Sequence, residues 1–355
     1  MNSYLSYKAN RSYVFQDYVW RPNFYHWRFH PRRKWHLRTP LNALIAGPTA
    51  GGPWDPSDPA PRAISERFFD TVCPPHERRM INTGDVKPAI RHASGRVVFD
   101  TWLKILREAP ERCIEIQAAP KKVDSVPQVF DLWFWGDGKS IELWEDFRDS
   151  PVSRLLATSP VVKAALIRNE LVLSPKTPRR IPGASNDPFE RMLSVHIRRG
   201  DYKRACMHFA RWNSTFYSWN LLPFLLDKFE HPPGWDVDRK ETVEEYMKHC
   251  YSTQEFLVQK IRSSREDYVS AGTGGEVRHL DTVYVLTNAP TEWLEKLKSM
   301  LLEDGWSHVV TTRDLVLTQE EKDVDMAVDM DIGRKAAVFI GNGVGWFWFS
   351  VRCRY

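Results

Sequence analysis

The sequence predicts an α/β protein of two domains, on three observations. Its 355 residues exceed what a single hydrophobic core usually serves. Four prolines fall within Ser174–Pro188, the sharpest break in pattern along the chain and the expected linker. Beyond that break, short apolar runs alternate with segments of helical periodicity, which is the pattern of a parallel sheet wound by helices. The expected domains are residues 1–173 and 189–355, joined by 174–188.

Taken in order, Met1–Asn10 reads as the end of a helix and Ser12–Phe15 as a short strand. Residues 22–61 are rich in Pro, Gly and aromatic side chains and read as a long structured loop. Val98, Trp102, Ile105 and Leu106 share one face of a helix predicted over Val97–Glu108, and Cys113–Ile116 follows as a strand. A helix is expected over Val161–Leu171. In the second half, Met192–Ile197 is a strand that runs into Arg198-Arg-Gly-Asp201. Val243, Tyr246, Met247, Cys250, Leu257 and Ile261 carry helical spacing from Glu241 to about Arg262. Thr282–Leu286 is a strand, Pro290 opens a helix stopped at Gly305, and His308–Val310 is a short strand. A helix over Asp323–Arg334 leads to the last strand, Ala337–Ile340. Ligands of parallel sheets bind at the carboxyl ends of the strands. That rule gathers Arg198–Asp201, Thr287-Asn288 and Gly341-Asn-Gly343 on one rim.

Composition excludes several classes. An apolar fraction of 42% with 27% charged residues argues against a disordered chain. The net charge of +5 is unevenly placed. Eight basic side chains face only Asp17 within residues 1–38, so that segment carries +7 and the remainder −2. Five widely spaced cysteines, none in a Cys-x-x-Cys pair, exclude a zinc ribbon or a dense disulfide framework and leave one or two bridges open. No run of 18 apolar residues marks a membrane span, and Met1–Lys8 is too polar for a signal peptide. Two glycosylation sequons occur, Asn10-Arg-Ser12 and Asn213-Ser-Thr215.

The sharpest chemical feature is Ser194-Val-His-Ile-Arg-Arg-Gly-Asp-Tyr202. A buried strand delivers two adjacent guanidiniums into a loop, and such planar forks suit the oxygens of a phosphate or diphosphate. The alternative is that Arg198 or Arg199 pairs with an acidic neighbour such as Asp201. His196 lies within the strand pattern and reads first as a structural histidine, second as a base. Gly341-x-Gly343-x-Gly345 is not a dinucleotide fingerprint, because Trp346 follows where further glycine spacing is needed. Asp329 and Asp331 lie two apart in a helix and point to different faces, which argues against one metal site. Gly47–Pro53 shapes either a ligand pocket or a plain turn. Trp20–Arg38 is basic and aromatic, and it raises nucleic-acid binding as a minor reading.

Together these motifs resemble those of the GDP-fucose-dependent O-fucosyltransferases and their α1,2/α1,6 relatives. Val195-His-Ile-Arg-Arg-Gly-Asp-Tyr202 is similar to the family's His-x-Arg-x-Gly-Asp segment. Val283-Tyr-Val-Leu-Thr-Asn288 stands as the middle motif, and Val328-Asp329 with Ala336–Gly343 as the third. They occur in family order over about residues 189–343, and Pro40–Gly52 is similar to fungal members of the group.

The resemblance implies a GT-B-like architecture, with two Rossmann-like domains facing a cleft. It implies an inverting transfer of fucose from GDP-fucose to a protein or glycan hydroxyl, with no cofactor and no metal expected. Arg198 matches the arginine that holds the β-phosphate and helps GDP leave. His196, Arg199, Thr287, Asp329, Asn342 and Gly343 are the expected donor-binding residues, with Asp201 bracing the loop. The family is often secretory, in the ER and Golgi. Two departures accompany this resemblance. Members open with a strand and a Gly-x-Asn-Asn loop, whereas this chain starts inside a helix. Small hydroxyl residues usually follow Gly-Asn-Gly, whereas Val344-Gly-Trp-Phe-Trp-Phe-Ser350 follows here. The expectation is therefore a fucosyltransferase, with a GDP-sugar-binding protein lacking turnover as the first alternative and a basic nucleic-acid-binding protein as the second.

Overall fold

The computed structural model describes residues 1–20, 38–136, 138–174, 185–200, 202–211, 213, 218–225, 229–231, 234, 240–272 and 277–341. The chain divides into two compact units: residues 1–161 with 217–224, and residues 162–216 with 225–355.

The first unit is built around helices. Helix α1 is Asn2–Lys8. Strands β1 (Val14–Phe15) and β2 (Ile64–Ser65) pair in parallel, and helix α2 (Glu66–Val72) follows, capped by the Ser65 hydroxyl. Strand β3 (Arg79–Asn82) leads through helix α3 (Thr83–Ile90) to helix α4 (Gly95–Glu108). Strand β4 (Ile114–Gln117) then pairs in parallel with β3. The face of α4 expected from its periodicity is the buried one, with Trp102 fully buried and Phe99 stacked on Tyr4 of α1 at 5.1 Å. A disulfide between Cys73 and Cys113 joins the end of α2 to the start of β4. Residues 217–224 belong here because Trp219 packs on Trp144, Trp135 and Phe147, with ring centroids 5.0, 5.4 and 5.4 Å away.

Among the described residues this unit holds its strands only in two-stranded pairs, not in the continuous wound sheet expected of a Rossmann-like domain. Pro40, Pro48, Pro53, Pro56, Pro59, Pro61, Pro74 and Pro75 crowd one stretch of this unit, and proline cannot donate to a ladder, which keeps the strands there short.

The second unit carries a four-stranded, all-parallel sheet. Helix α5 is Pro160–Arg168 and strand β5 is Met192–Ile197. Helices α6 (Tyr202–Arg211), α7 (Lys240–Cys250) and α8 (Gln254–Ser270) follow. Then come β6 (Thr282–Thr287), α9 (Thr291–Glu303), β7 (His308–Thr311), α10 (Asp325–Lys335) and β8 (Val338–Ile340). The strand order is β7-β6-β5-β8, so β5 is interior and all six of its residues are buried. Alternate residues divide between the faces. Leu193, Val195 and Ile197 pack with Val283 and Val285 against Leu257, Val258 and Ile261 of α8 and Leu294, Leu297 and Leu301 of α9. On the other parity, Ser194 Oγ reaches the Gly333 carbonyl of α10 at 3.5 Å. A Cβ on Gly333 would sit 3.2 Å from the Phe339 ring, so close packing of α10 on the sheet keeps that position small.

Two boundaries differ from expectation. The units part at 161/162 rather than across 174–188, because residues beyond 162 bond into the second unit. Arg168 pairs with Glu321 at 3.2 Å, Asn169 exchanges two hydrogen bonds with the Val316 backbone, and the Val172 carbonyl meets His308 Nε2 at 2.7 Å. Residues 175–184 of the expected linker lie outside the described residues. The single helix predicted over 241–262 is two helices, α7 and α8, broken at Tyr251–Thr253. Thr253 caps the second by accepting from the Phe256 amide. A second disulfide, Cys206–Cys250, joins α6 to the end of α7.

Candidate functional site

The loops that leave β5 and β6 are fastened to each other. Thr287 Oγ1 donates to the Ile197 carbonyl at 2.7 Å and accepts from the Ala289 amide at 3.0 Å. Asn288 grips the next step. Its Oδ1 accepts from the Arg199 amide at 2.7 Å and its Nδ2 donates to the Arg199 carbonyl at 3.2 Å. Gly200 then turns with φ +66°, a conformation open to glycine without a Cβ penalty. The carboxyl ends of two adjacent parallel strands are thus bonded side by side, and Arg198 sits in the join.

The paired arginines have different surroundings. Arg198 is half-buried, with its guanidinium 5.6 Å from the Tyr202 ring centre. Arg199 is 5% exposed. Its Cζ lies 4.3 Å from the Tyr251 ring centre and 4.2 Å from that of Trp293. Its Nη1 donates to the Tyr251 carbonyl at 3.3 Å, and its Nη2 donates to the Ser252 carbonyl. Among the described residues no carboxylate pairs with it. Burial pulls its pKa below the ordinary arginine value, and the two π faces and two carbonyls take the place of a counter-ion.

His196 is buried on β5 at 7% exposure, in register with Leu286. Asp329 of α10 approaches the same parity of the sheet. Its Oδ1 accepts from Tyr284 Oη at 2.6 Å, and Thr312 Oγ1 stands 2.6 and 2.7 Å from its two oxygens. Removal from water pushes the Asp329 carboxyl up to about 7, against the opposing pull of both hydroxyls. Burial, with Asp329 beside it, raises Tyr284 well above the usual phenol value. Asp331, two residues on, instead faces Arg334 at 2.6 Å and Lys335 at 2.8 Å. Among the described residues no cluster of three His, Cys, Asp or Glu could hold a metal ion.

The rim therefore gathers Arg198, Thr287 and Asn288, with Gly341 just beyond the end of β8. His196 and Asp329 lie deeper, beneath that edge. Asp201, Asn342, Gly343, the tail 344–355 and the basic segment 21–37 lie outside the described residues. Sequence reasoning had no signal for Trp293 or Tyr251 as seats for an arginine. Tyr284 did carry one, since a phenol inside a buried strand needs a partner for its hydroxyl.

Elsewhere, Gly47–Pro53 is held by steric need: Gly47 has φ +105°, and a Cβ there would lie 2.3 Å from the Leu155 carbonyl oxygen. On α2, Asp70 is engaged by Arg78 at 2.7 Å and Glu66 by Gln16 at 2.7 Å. A cavity of about 660 Å³ in the second unit is lined by Phe189, Ala336 and Ala337, which precede β5 and β8. It lies at the amino ends of the strands, away from the arginine loop.

No protein-family model matches the chain, and no curated protein matches it by sequence. Solved structures similar to it include two of POFUT1. POFUT1 in its apo form gives a TM-score of 0.43 at 12% identity, over 97% of this chain and 86% of that one. POFUT1 in complex with GDP-fucose gives 0.44 at 12% identity, over 97% of this chain and 85% of that one. The chain is a mixed α/β protein with parallel sheets.

Proposed function

We propose that this chain is a fucosyltransferase of the inverting, metal-independent kind, with GDP-fucose as donor and a protein or glycan hydroxyl as acceptor. The observation that carries this reading is Arg198, set where the ends of two bonded parallel strands meet, within a motif that resembles the donor-binding segment of that family. In the transfer, the acceptor oxygen bonds to the anomeric carbon as the bond to the β-phosphate oxygen breaks. GDP leaves with the electron pair, and the acceptor's proton passes to the departing diphosphate or to water. Arg198 stabilises the negative charge that grows on the diphosphate. His196 supports the strand end from below, Thr287 borders the donor pocket, and Asp329 acts from beneath it; Asn342 and Gly343 are assigned to the donor by the family resemblance. Two disulfides favour folding in an oxidising compartment such as the secretory pathway. Among the described residues no helix is long and apolar enough to cross a membrane.

The test is calorimetric titration of the full chain with GDP, GDP-fucose and a generic oligonucleotide, alongside Arg198→Ala and an assay of fucose release to water. Binding of GDP that is lost in Arg198→Ala, with release of fucose, is expected. A folded chain that binds no GDP nucleotide would refute the reading. GDP binding without turnover would assign a GDP-sugar-binding role. Binding of the oligonucleotide alone, weakening with salt, would assign a nucleic-acid role.

A further inference from the structure

The two adjacent arginines invite a reading as one double clamp, and the geometry points to something else. Strand β5 sends alternate side chains to opposite faces. Leu193, Val195 and Ile197 enter the core made with α8 and α9. Arg199 continues that parity and ends against the same two helices, between Trp293 of α9 and the Tyr251-Ser252 step that precedes α8. Arg198 continues the parity of Ser194 and His196 instead.

The seat of Arg199 is made by the break between α7 and α8. Tyr251 and Ser252 lie between the two helices, and their carbonyls, outside either helical ladder, accept the two terminal nitrogens of Arg199. Cys250, the residue before them, is bonded to Cys206 of α6, the helix that begins just after the arginine loop. Asn288 holds the Arg199 amide and carbonyl from the β6 side. Side chain and backbone of one residue are therefore fixed by three separate elements.

We propose that Arg199 is a positioning residue, one that locks the loop presenting Arg198 to the diphosphate and does not itself touch the donor. This deepens the proposed function and rests on it for the identity of the ligand. Its planar fork and stacking account for arginine at this position, since a lysine ammonium can neither lie flat between two rings nor reach two carbonyls as a fork.

Two measurements on the full chain test the proposal. The first uses the free protein and needs no ligand: hydrogen exchange of the peptide spanning residues 198–202. Arg199→Ala and Trp293→Leu should each speed its exchange about tenfold or more, while peptides within β6 stay protected. The second is a double-mutant cycle on GDP affinity. Arg199→Ala should weaken GDP about tenfold when Arg198 is present and change it less than twofold when Arg198→Ala is already in place, because one acts through the other. Arg199→Lys should behave as Arg199→Ala.

Equal losses in both backgrounds would mean that Arg199 contacts the nucleotide directly and would overturn the proposal. Unchanged exchange in Arg199→Ala would overturn it as well. A drop in thermal stability with unchanged affinity and unchanged loop exchange would reduce Arg199 to a core residue. If Arg199→Ala does not fold, Trp293→Leu, which keeps the arginine and removes one ring, carries both measurements. Failure of the unaltered chain to bind GDP would refute the fucosyltransferase reading and leave the exchange result to decide the role of Arg199 in the loop.

Discussion

Replacing Cys206 and Cys250 together by alanine should cost the second unit about 4 kcal/mol. The bridge closes a segment 44 residues long in sequence. In the chain-entropy account, restoring the freedom of such a loop in the unfolded chain is worth about 4 kcal/mol at 25 °C. Domains are typically stable by only about 5–15 kcal/mol, so the loss is a large share of the whole. The Cys73–Cys113 bridge closes a segment of 40 residues in the first unit, and its removal should cost nearly the same there. Guanidinium unfolding followed by peptide-resolved hydrogen exchange reads the two units separately in one sample. The expected result is a fall in the midpoint of peptides from β5, β6 and α8 for Cys206→Ala/Cys250→Ala, and of peptides from α4 and β4 for Cys73→Ala/Cys113→Ala. A loss below about 1 kcal/mol in either would refute the reasoning, because the unfolded chain would then be equally restricted without the bond. The Cys206–Cys250 variant should also speed exchange of residues 198–202, since Tyr251 and Ser252 hang directly on Cys250.

Other outcomes follow from the same structure. Arg11 donates to the Leu106 carbonyl at 2.7 Å, the Glu111 carbonyl at 2.9 Å and the Ala109 carbonyl, so it closes the C-terminal end of α4. Arg11→Ala should destabilise the first unit by about 3 kcal/mol in urea melts. Asp329 holds its proton up to about pH 7 in the folded chain and to 3.8 in the reference state. The native state therefore binds more protons between those values, and stability falls as pH rises through that window. Asp329→Asn should flatten this slope in melting temperatures taken from pH 4 to 8, and parallel curves for the two proteins would contradict it. Gly47→Ala introduces a Cβ against the Leu155 carbonyl at a positive φ and should cost more than about 2 kcal/mol. A smaller loss by chemical denaturation would show that the loop yields.

Much of the second unit is legible in the sequence, because its signals are local. Val283–Leu286 is an apolar run with a β-branched bias, and the helix after Pro290 ends at Glu303, two residues before Gly305, which adopts φ +89°. What failed there failed for a local reason too. The apolar spacing from Val243 to Ile261 fits one helix, yet Ser252-Thr253 is a cap signal inside it, and the cap prevailed. The site was legible as residue types on a rim and illegible as contacts. Nothing in sequence spacing brings Thr312 to Asp329, 17 residues away, or Trp293 to Arg199. The first unit was harder because its pairings are long-range and brief. Val14–Phe15 meets Ile64–Ser65, and Ile45–Ala46 meets Ala157–Thr158. Two-residue strands carry no alternation from which a face or register could be inferred.

The sequence also contains the parity of the site. Met192 to Arg199 reads as two interleaved sets. Leu193, Val195, Ile197 and Arg199 form one, and Met192, Ser194, His196 and Arg198 the other. A strand that is buried on both sides hides this, because every residue in it is apolar or satisfied. The sets separate only where the strand ends and charge appears. At that point one arginine must follow the face packed by α8 and α9, where a cation without a carboxylate needs rings and carbonyls to remain. The other follows the face that carries His196 and leads towards the rim. Adjacent arginines at the end of a doubly buried strand are thus divided by geometry into an anchor and a fork on the side of the rim. Inserting one residue into β5 before Arg198 should exchange those two fates, and with them the fold of the loop.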